Sequence, residues 1–406
     1  MKIARWCAAL CAALLAGAAT AQPIKVGMSM PQTGTLGAGG KAALVALRMW
    51  VEDVNAKGGM LGSKVELIAY DDQTNPALTP AIYTKLLDVD KVDLLIAPYG
   101  TVPTAPIMPL VKQRGLLLMG NFSFQVNHTV KHDMWFNNAP WNDASSWFTG
   151  YFEAGKKAGV KTVAFLAADQ EFAQNLARGA KELAKKGGLQ TVYEQNYPPT
   201  TTDFSSLIRA IRAAKPDAVF VASYPNDSVA IVRAVNEIGI GDVKIFGGGM
   251  VGLQFTPIMT SLGSLLNGVV NYNSYVPGMK YPGIEDFLAR YAKKAAEEKV
   301  DPLGFYLPPF NYAIGQMLEQ AVTATKSLDH KVLASYLRKN EMKTIVGPIR
   351  YGPDGEWANP RVVQAQFRGV KDKDMEQFRK SGSQVVLYPD AYKTGEFIWP
   401  FEKARK

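Results

Sequence analysis

Short apolar runs bounded by turn residues alternate along the chain with stretches whose apolar residues recur at helical spacing. Ile24–Met30, Val65–Tyr70, Val92–Ala97 and Leu116–Met119 are runs of the first kind and predict strands buried on both faces, as in a parallel sheet. Between them Leu44, Leu47, Val51 and Val54 fall at i, i+3, i+7 and i+10, and Gly58-Gly59 closes that helix. The alternation predicts a doubly wound α/β unit. After Trp141 the rhythm restarts, with strands at Thr162–Ala167, Leu189–Tyr197, Ala218–Ser223 and Lys244–Phe246 and helices near 170–186, 204–214 and 226–239. Asp203 is placed to cap the second of these helices, where Phe204, Leu207, Ile208 and Ile211 form one apolar stripe. A strand over Gly268–Tyr275 then leads to helices at 283–299, 310–326 and 331–339 and to strands at Gly347–Tyr351, Val362–Phe367 and Gln384–Tyr388. This last third is too discontinuous for a domain of its own, so it is expected to return and complete the two earlier units.

Composition narrows the class. With 47% hydrophobic and 20% charged residues in 406, and a mean hydropathy of −0.06, the chain is neither disordered nor a polytopic membrane protein. Its one long apolar run, Trp6 to Ala19, follows Lys2 and Arg5 and ends at Ala19-Thr20-Ala21. That is the layout of a secretory signal peptide over residues 1–21, and the run is too short for a membrane anchor. Cys7 and Cys11, the only cysteines, lie inside it, and Leu10 is a poor residue before a lipidated cysteine. The exported part then has no disulfide, thiol nucleophile or cysteine-held metal. Loss of Lys2 and Arg5 lowers the net charge from +9 to +7, and the remaining lysines and arginines are spread along helix-like segments. Concentrated basic surface for nucleic acid is not expected.

Enzyme motifs fail one after another. Gly34 to Lys41 sits where a phosphate loop would, but Thr35 and Ala42 occupy positions that a Walker motif reserves for Gly and for Ser or Thr. Gly37-x-Gly39-x-x-Ala42 approximates a dinucleotide fingerprint without its partner acid. His128 and His132 have the i, i+4 spacing of zinc ligands, but no Glu lies between them and the flanking residues favour a surface loop. Asp71-Asp72 at a strand end point to opposite faces and read as turn and capping residues. Gly27-Met28-Ser29-Met30-Pro31 lacks the last glycine of a nucleophile elbow. No catalytic, metal or cofactor site is expected. What is abundant is aromatic and small polar residues after the strands: Tyr99-Gly100-Thr101, Phe122-Ser123-Phe124, Phe172 and Tyr224. Ligands of open α/β sheets gather at the carboxyl ends of strands, so these residues could share one cleft.

Several ordered segments resemble the periplasmic solute-binding proteins of the leucine/isoleucine/valine type, which serve ABC importers. They are Ile24-Lys25-Val26-Gly27, Asp53-Val54-Asn55-Ala56-Lys57-Gly58-Gly59 with Gly62, Tyr70-Asp71-Asp72-Gln73 with Pro76, Asp203-Phe204-Ser205, Lys215-Pro216-Asp217 and Gly347-Pro348. The resemblance implies two doubly wound parallel-sheet lobes joined by three crossovers, with a ligand enclosed between them by hinge closure. The lobes would be residues 22–141 with 272–347 and residues 142–271 with 348–390, leaving a tail at 391–406. The resemblance further implies a monomer in the periplasm and an inner-membrane permease as partner. The family's frequent disulfide is missing, with Asn75 and Gly100 standing about where its cysteines would be.

Carried over position by position, Thr101 matches the hydroxyl residue that holds the amino acid's carboxylate and Tyr224 matches a tyrosine of the second lobe. Other positions depart from the family. Gly249, beside Met250, stands where an acidic residue takes the ligand's ammonium group, Phe124 replaces a threonine, Gly39 replaces an aromatic residue and Phe172 replaces a tyrosine. A site without its acid should reject zwitterions, because a buried bare ammonium costs several kcal/mol. The expected ligand is therefore an apolar or aromatic carboxylate, held by Thr101 with its neighbouring backbone N–H groups and by Tyr224, with Phe122, Phe124, Phe172 and Tyr99 as walls. A secreted α/β hydrolase, or a sensor of the same fold, are the alternatives.

Overall fold

The computed structural model describes residues 22–406, so the expected signal peptide lies outside the described residues. Two sheets form the framework. In the first, β1 (Ile24–Ser29), β2 (Val65–Tyr70), β3 (Leu94–Tyr99), β4 (Leu118–Asn121) and β5 (Trp135–Asn138) lie in the order β2-β1-β3-β4-β5, all parallel. The second contains β6 (Thr162–Ala168), β7 (Gln190–Tyr197), β8 (Ala218–Ser223), β9 (Ile245–Met250) and β10 (Val270–Asn273). Between β10 and the second sheet's last two strands, β11 (Met342–Thr344) and β12 (Gly347–Ile349) pair only with each other as a hairpin outside both sheets. The second sheet is completed by β13 (Val363–Phe367) and β14 (Gln384–Tyr388), in the order β14-β13-β10-β9-β8-β6-β7. β13 runs antiparallel to both neighbours, so this lobe is parallel only from β10 to β7.

The chain passes between the sheets three times, after β5, after β10 and between β12 and β13. The first expected switch, at 141/142, falls in a crossing. Those at 271/272 and 347/348 fall inside β10 and inside the β11–β12 hairpin. Residues after 390 are packed rather than trailing: Phe401 is fully buried, with its ring 5.3 Å from Phe246.

Tertiary packing of amphipathic faces holds the helices. On the first lobe, helix Pro308–Thr325 lies against helix Gly37–Ala56. Gly315 allows the approach: a Cβ there would stand 2.1 Å from the buried Trp50 indole. Helix Ile284–Glu298 is tied to the same pair through Asp53, which takes Arg290 Nη1 at 2.9 Å and the Tyr312 hydroxyl at 2.6 Å. In the second lobe, helix Ser205–Ala214 starts one residue later than Asp203 would cap: Phe204 is its N-cap without a side-chain bond, and Asp203 accepts the Ser205 N–H at 2.9 Å as a turn ahead of it. Asp71 and Asp72 hold turns: Asp71 accepts from the Gln32, Thr33 and Gln73 amides, and Asp72 from the Ser29 hydroxyl at 2.7 Å.

Candidate binding site

The ends of β3 and β4 meet the second lobe around one small cavity. It is lined by Tyr99, Gly100, Thr101, Val102 and Phe122 from these strand ends, Leu36 from the loop after β1, Phe172, Tyr224 and Val251 from the second lobe, and Tyr306 from the stretch before helix Pro308–Thr325. Its free space is about 20 Å³, room for about one water.

Hydrogen bonds fix the loop that carries Thr101. Gly100, with φ 98°, opens a short helix at Thr101–Thr104, whose first N–H groups have no partner within the helix. Thr101 Oγ1 accepts the Phe124 N–H at 2.9 Å, joining the β3 loop to the β4 loop. Ser123 lies behind rather than in the cavity wall: its hydroxyl donates to Thr104 Oγ1 at 2.9 Å and to Gly100 O at 3.2 Å. Phe122 adopts a left-handed backbone, φ 54°, at a cost of about 1 kcal/mol. That conformation sets its ring edge-on at 5.0 Å to Trp141, 5.1 Å to Tyr306 and 5.0 Å to Phe310.

Aromatic contacts bridge the lobes. Phe124, fully buried and outside the cavity lining, stands 5.6 Å from Trp147 and 6.5 Å from Phe172 across the cleft. Phe172 in turn meets the Tyr224 ring at 5.8 Å. The Tyr224 hydroxyl is buried and has no hydrogen-bond partner; the Phe172 N–H approaches it without reaching hydrogen-bond geometry. Burial, and then the charges of Asp227 and Glu171, raise its pKa, so it stays a protonated donor. Burial likewise raises Tyr99 and Tyr306. No residue lining the cavity is acidic, basic or a histidine.

The sequence-derived set therefore divides. Tyr99, Gly100, Thr101, Phe122, Phe172 and Tyr224 converge on the cavity, while Ser123 and Phe124 back it. Gly39 does not reach this cavity: it lines a second space, and a Cβ on it would stand 3.0 Å from the Phe255 ring. Gly249 lies within β9, where a Cβ would face Val221 O and Leu176 inside the second lobe. An acid at 249 would thus aim into that core, and the missing charge is better read from the cavity wall itself. Met250 is fully buried and exchanges backbone hydrogen bonds with the Asn271 amide; its neighbour Val251 is the one that reaches the cavity. Leu36, Val102, Val251 and Tyr306 escaped sequence reasoning, since none follows a recognised strand as an aromatic or polar residue.

Among the described residues no three His, Cys, Asp or Glu side chains are placed to hold a metal. His128 is exposed and His132 buried, its Nε2 2.8 Å from Leu116 O, so the two do not form a pair of ligands. No helix among the described residues is long and apolar enough to cross a membrane.

A family model described as periplasmic binding protein matches residues 23–372. The Leu/Ile/Val-binding protein homolog 7 of Brucella melitensis is 26% identical over 403 residues, covering 96% of this chain and 97% of that protein. Two solved structures share the fold. An ABC-transporter solute-binding protein of R. palustris in complex with benzoate has a TM-score of 0.74 at 18% identity, over 90% of this chain and 95% of its own. A branched-chain amino acid transporter substrate-binding protein of Streptococcus pneumoniae, in complex with isoleucine, has a TM-score of 0.73 at 18% identity, over 90% of this chain and 100% of its own. With the match extending over most of its length, the chain belongs to the periplasmic binding protein family.

Proposed function

We propose that this chain binds an apolar or aromatic carboxylate between its lobes in the periplasm and, as a monomer, presents it to the permease of an ABC importer without transforming it. The observation that carries this reading is the unpartnered Tyr224 hydroxyl in a buried wall that holds no charge of either sign. A hydroxyl desolvated without a partner costs about 1–3 kcal/mol, which an oxygen of a ligand would recover. Thr101, whose oxygen is already occupied as an acceptor, keeps its hydrogen to donate to the same carboxylate. An amino acid would bring an ammonium group for which this wall offers no carboxylate.

The fold alone is compatible with either ligand type, since one similar structure holds benzoate and another isoleucine. The polarity of the wall favours the acid. A hydrolase would need a nucleophile with a base beside it, and the wall supplies Thr101 with no histidine or carboxylate. Mass spectrometry of ligand released from purified protein, with calorimetry of benzoate against leucine, tests the reading. Leucine bound more tightly than every apolar acid would sink it.

A further inference from the structure

A second, much larger space adjoins the inner cavity. Leu36 belongs to both walls, and the Phe255 ring of the outer wall stands edge-on 5.4 Å from Tyr306 of the inner one. The outer free volume is about 470 Å³, against about 20 Å³ inside. Both lobes build it: Gly39 and its neighbours on one side, Pro257 and Ile258 on the other, with Val300 completing an apolar body. Two cations, Lys41 and Lys299, also line it, and both are exposed. Neither joins any ion pair found among the described residues. The single carboxylate of this wall, Asp301, is already committed to the N–H groups of Thr256 at 2.7 Å, Leu303 at 3.0 Å and Gly304 at 3.2 Å.

We propose that the ligand is an elongated dicarboxylate: one carboxylate at Thr101 and Tyr224, an apolar body passing Leu36 and Phe255, and the second carboxylate between Lys41 and Lys299. This rests on the acid-ligand reading above and narrows it. The inner space alone, with room for about one water, cannot take a compact acid without displacing its rings. A ligand that reaches outward uses volume already present and meets an excess of positive charge at its far end. Lys41 and Lys299 both belong to the first lobe, so the second carboxylate is held from that side while Pro257 and Ile258 of the second lobe face the ligand's apolar body.

Calorimetry tests this with benzoate and with 4-(ω-carboxyalkyl)benzoic acids, as their dianions, of increasing spacer length. Each is measured on the unmodified protein and on a Lys41→Gln/Lys299→Gln double variant, whose exposed positions leave the fold intact. The best diacid is expected to bind about five- to tenfold more tightly than benzoate, the scale of two exposed charge contacts. The double variant should lose most of that gain while benzoate stays within about twofold. Benzoate binding as tightly as every diacid, or a double variant that weakens all ligands equally, overturns the elongated ligand and leaves the acid reading standing. Failure of every acid to bind overturns both.

Discussion

His132 and His330 grip the two ends of one peptide group: His132 Nε2 donates to the Leu116 carbonyl at 2.8 Å, and the Leu117 N–H donates to His330 Nδ1 at 2.9 Å. The clamp sits where the chain enters β4, and it needs His330 neutral, because a protonated His330 Nδ1 cannot accept, whereas His132 donates in either state. Burial lowers the pKa of both rings, against the opposing pull of the Leu116 carbonyl and Asp133 on His132 and of Asp329 and Asp93 on His330.

A folded pKa below the unfolded value of 6.5 means stability that is present above that pH and lost as the pH falls below it. The histidine contribution should therefore be lost between pH 7 and pH 5, against the opposite slope of Glu356, and it is read as the difference in melting temperature between the parent and a His330 variant. In His330→Gln, which keeps an acceptor and does not titrate, the acid limb should flatten. An acid limb as steep in the variant as in the parent would remove His330 from this role.

Glu356 predicts a slope of opposite sign. It is fully enclosed at the third crossing, where Trp135 Nε1 donates to it at 3.2 Å and Asn137 Nδ2 at 2.7 Å, and desolvation pushes its pKa up from 4.5 to about 8. Folding then takes up a proton, so this contribution is complete below about 4.5 and is lost as the pH rises through about 8, at up to about 1.4 kcal/mol per pH unit. Glu356→Gln should be nearly neutral in acid and more stable than the parent at pH 9. Denaturant midpoints across that range check it.

At the cavity, Tyr224→Phe should leave the fold unchanged or slightly more stable, since it deletes a buried hydroxyl that lacks a partner. Affinity for an acid should fall by about 1 kcal/mol, and Thr101→Ala should cost about 1–3 kcal/mol. Thr101→Ala also frees the Phe124 N–H, so its stability loss has to be measured beside its binding loss. Unchanged affinity in both variants would place the ligand elsewhere.

Gly315→Ala should be destabilising by about 1–3 kcal/mol, the usual cost of overpacking, although alanine is the better helix former. The added methyl meets the Trp50 indole, which is itself fully buried and has no room to retreat. Thermal unfolding of the variant decides whether helix propensity or packing dominates.

Much of the framework was legible in the chain because buried parallel strands leave continuous apolar runs; β2, β8 and β14 fall where the pattern predicts them. β5 was invisible for a physical reason. Its Asn137 and Asn138 read as turn residues, yet their side chains are used inside, Asn137 on Glu356 and Asn138 on the Phe310 carbonyl. Local pattern likewise found Thr101 and Tyr224, which follow strands, but not Tyr306, which reaches the cavity from a segment between helices. The placement of Gly249 shows the limit of position-by-position transfer: a side chain there would turn into the second lobe's core, and it is Val251, two residues on, that meets the site.

The aromatic contacts across the cleft have a kinetic consequence. With Phe124 against Trp147 and Phe172, and space for about one water within, the end of a solute that is to reach Thr101 finds no vacancy there and must wait for the rings to part. Association should then saturate with rising solute concentration, at a ceiling set by the protein's own opening rate rather than by encounter. Trp141 and Trp147, 4.2 Å apart beside this seam, supply the fluorescence with which stopped-flow mixing would see that plateau.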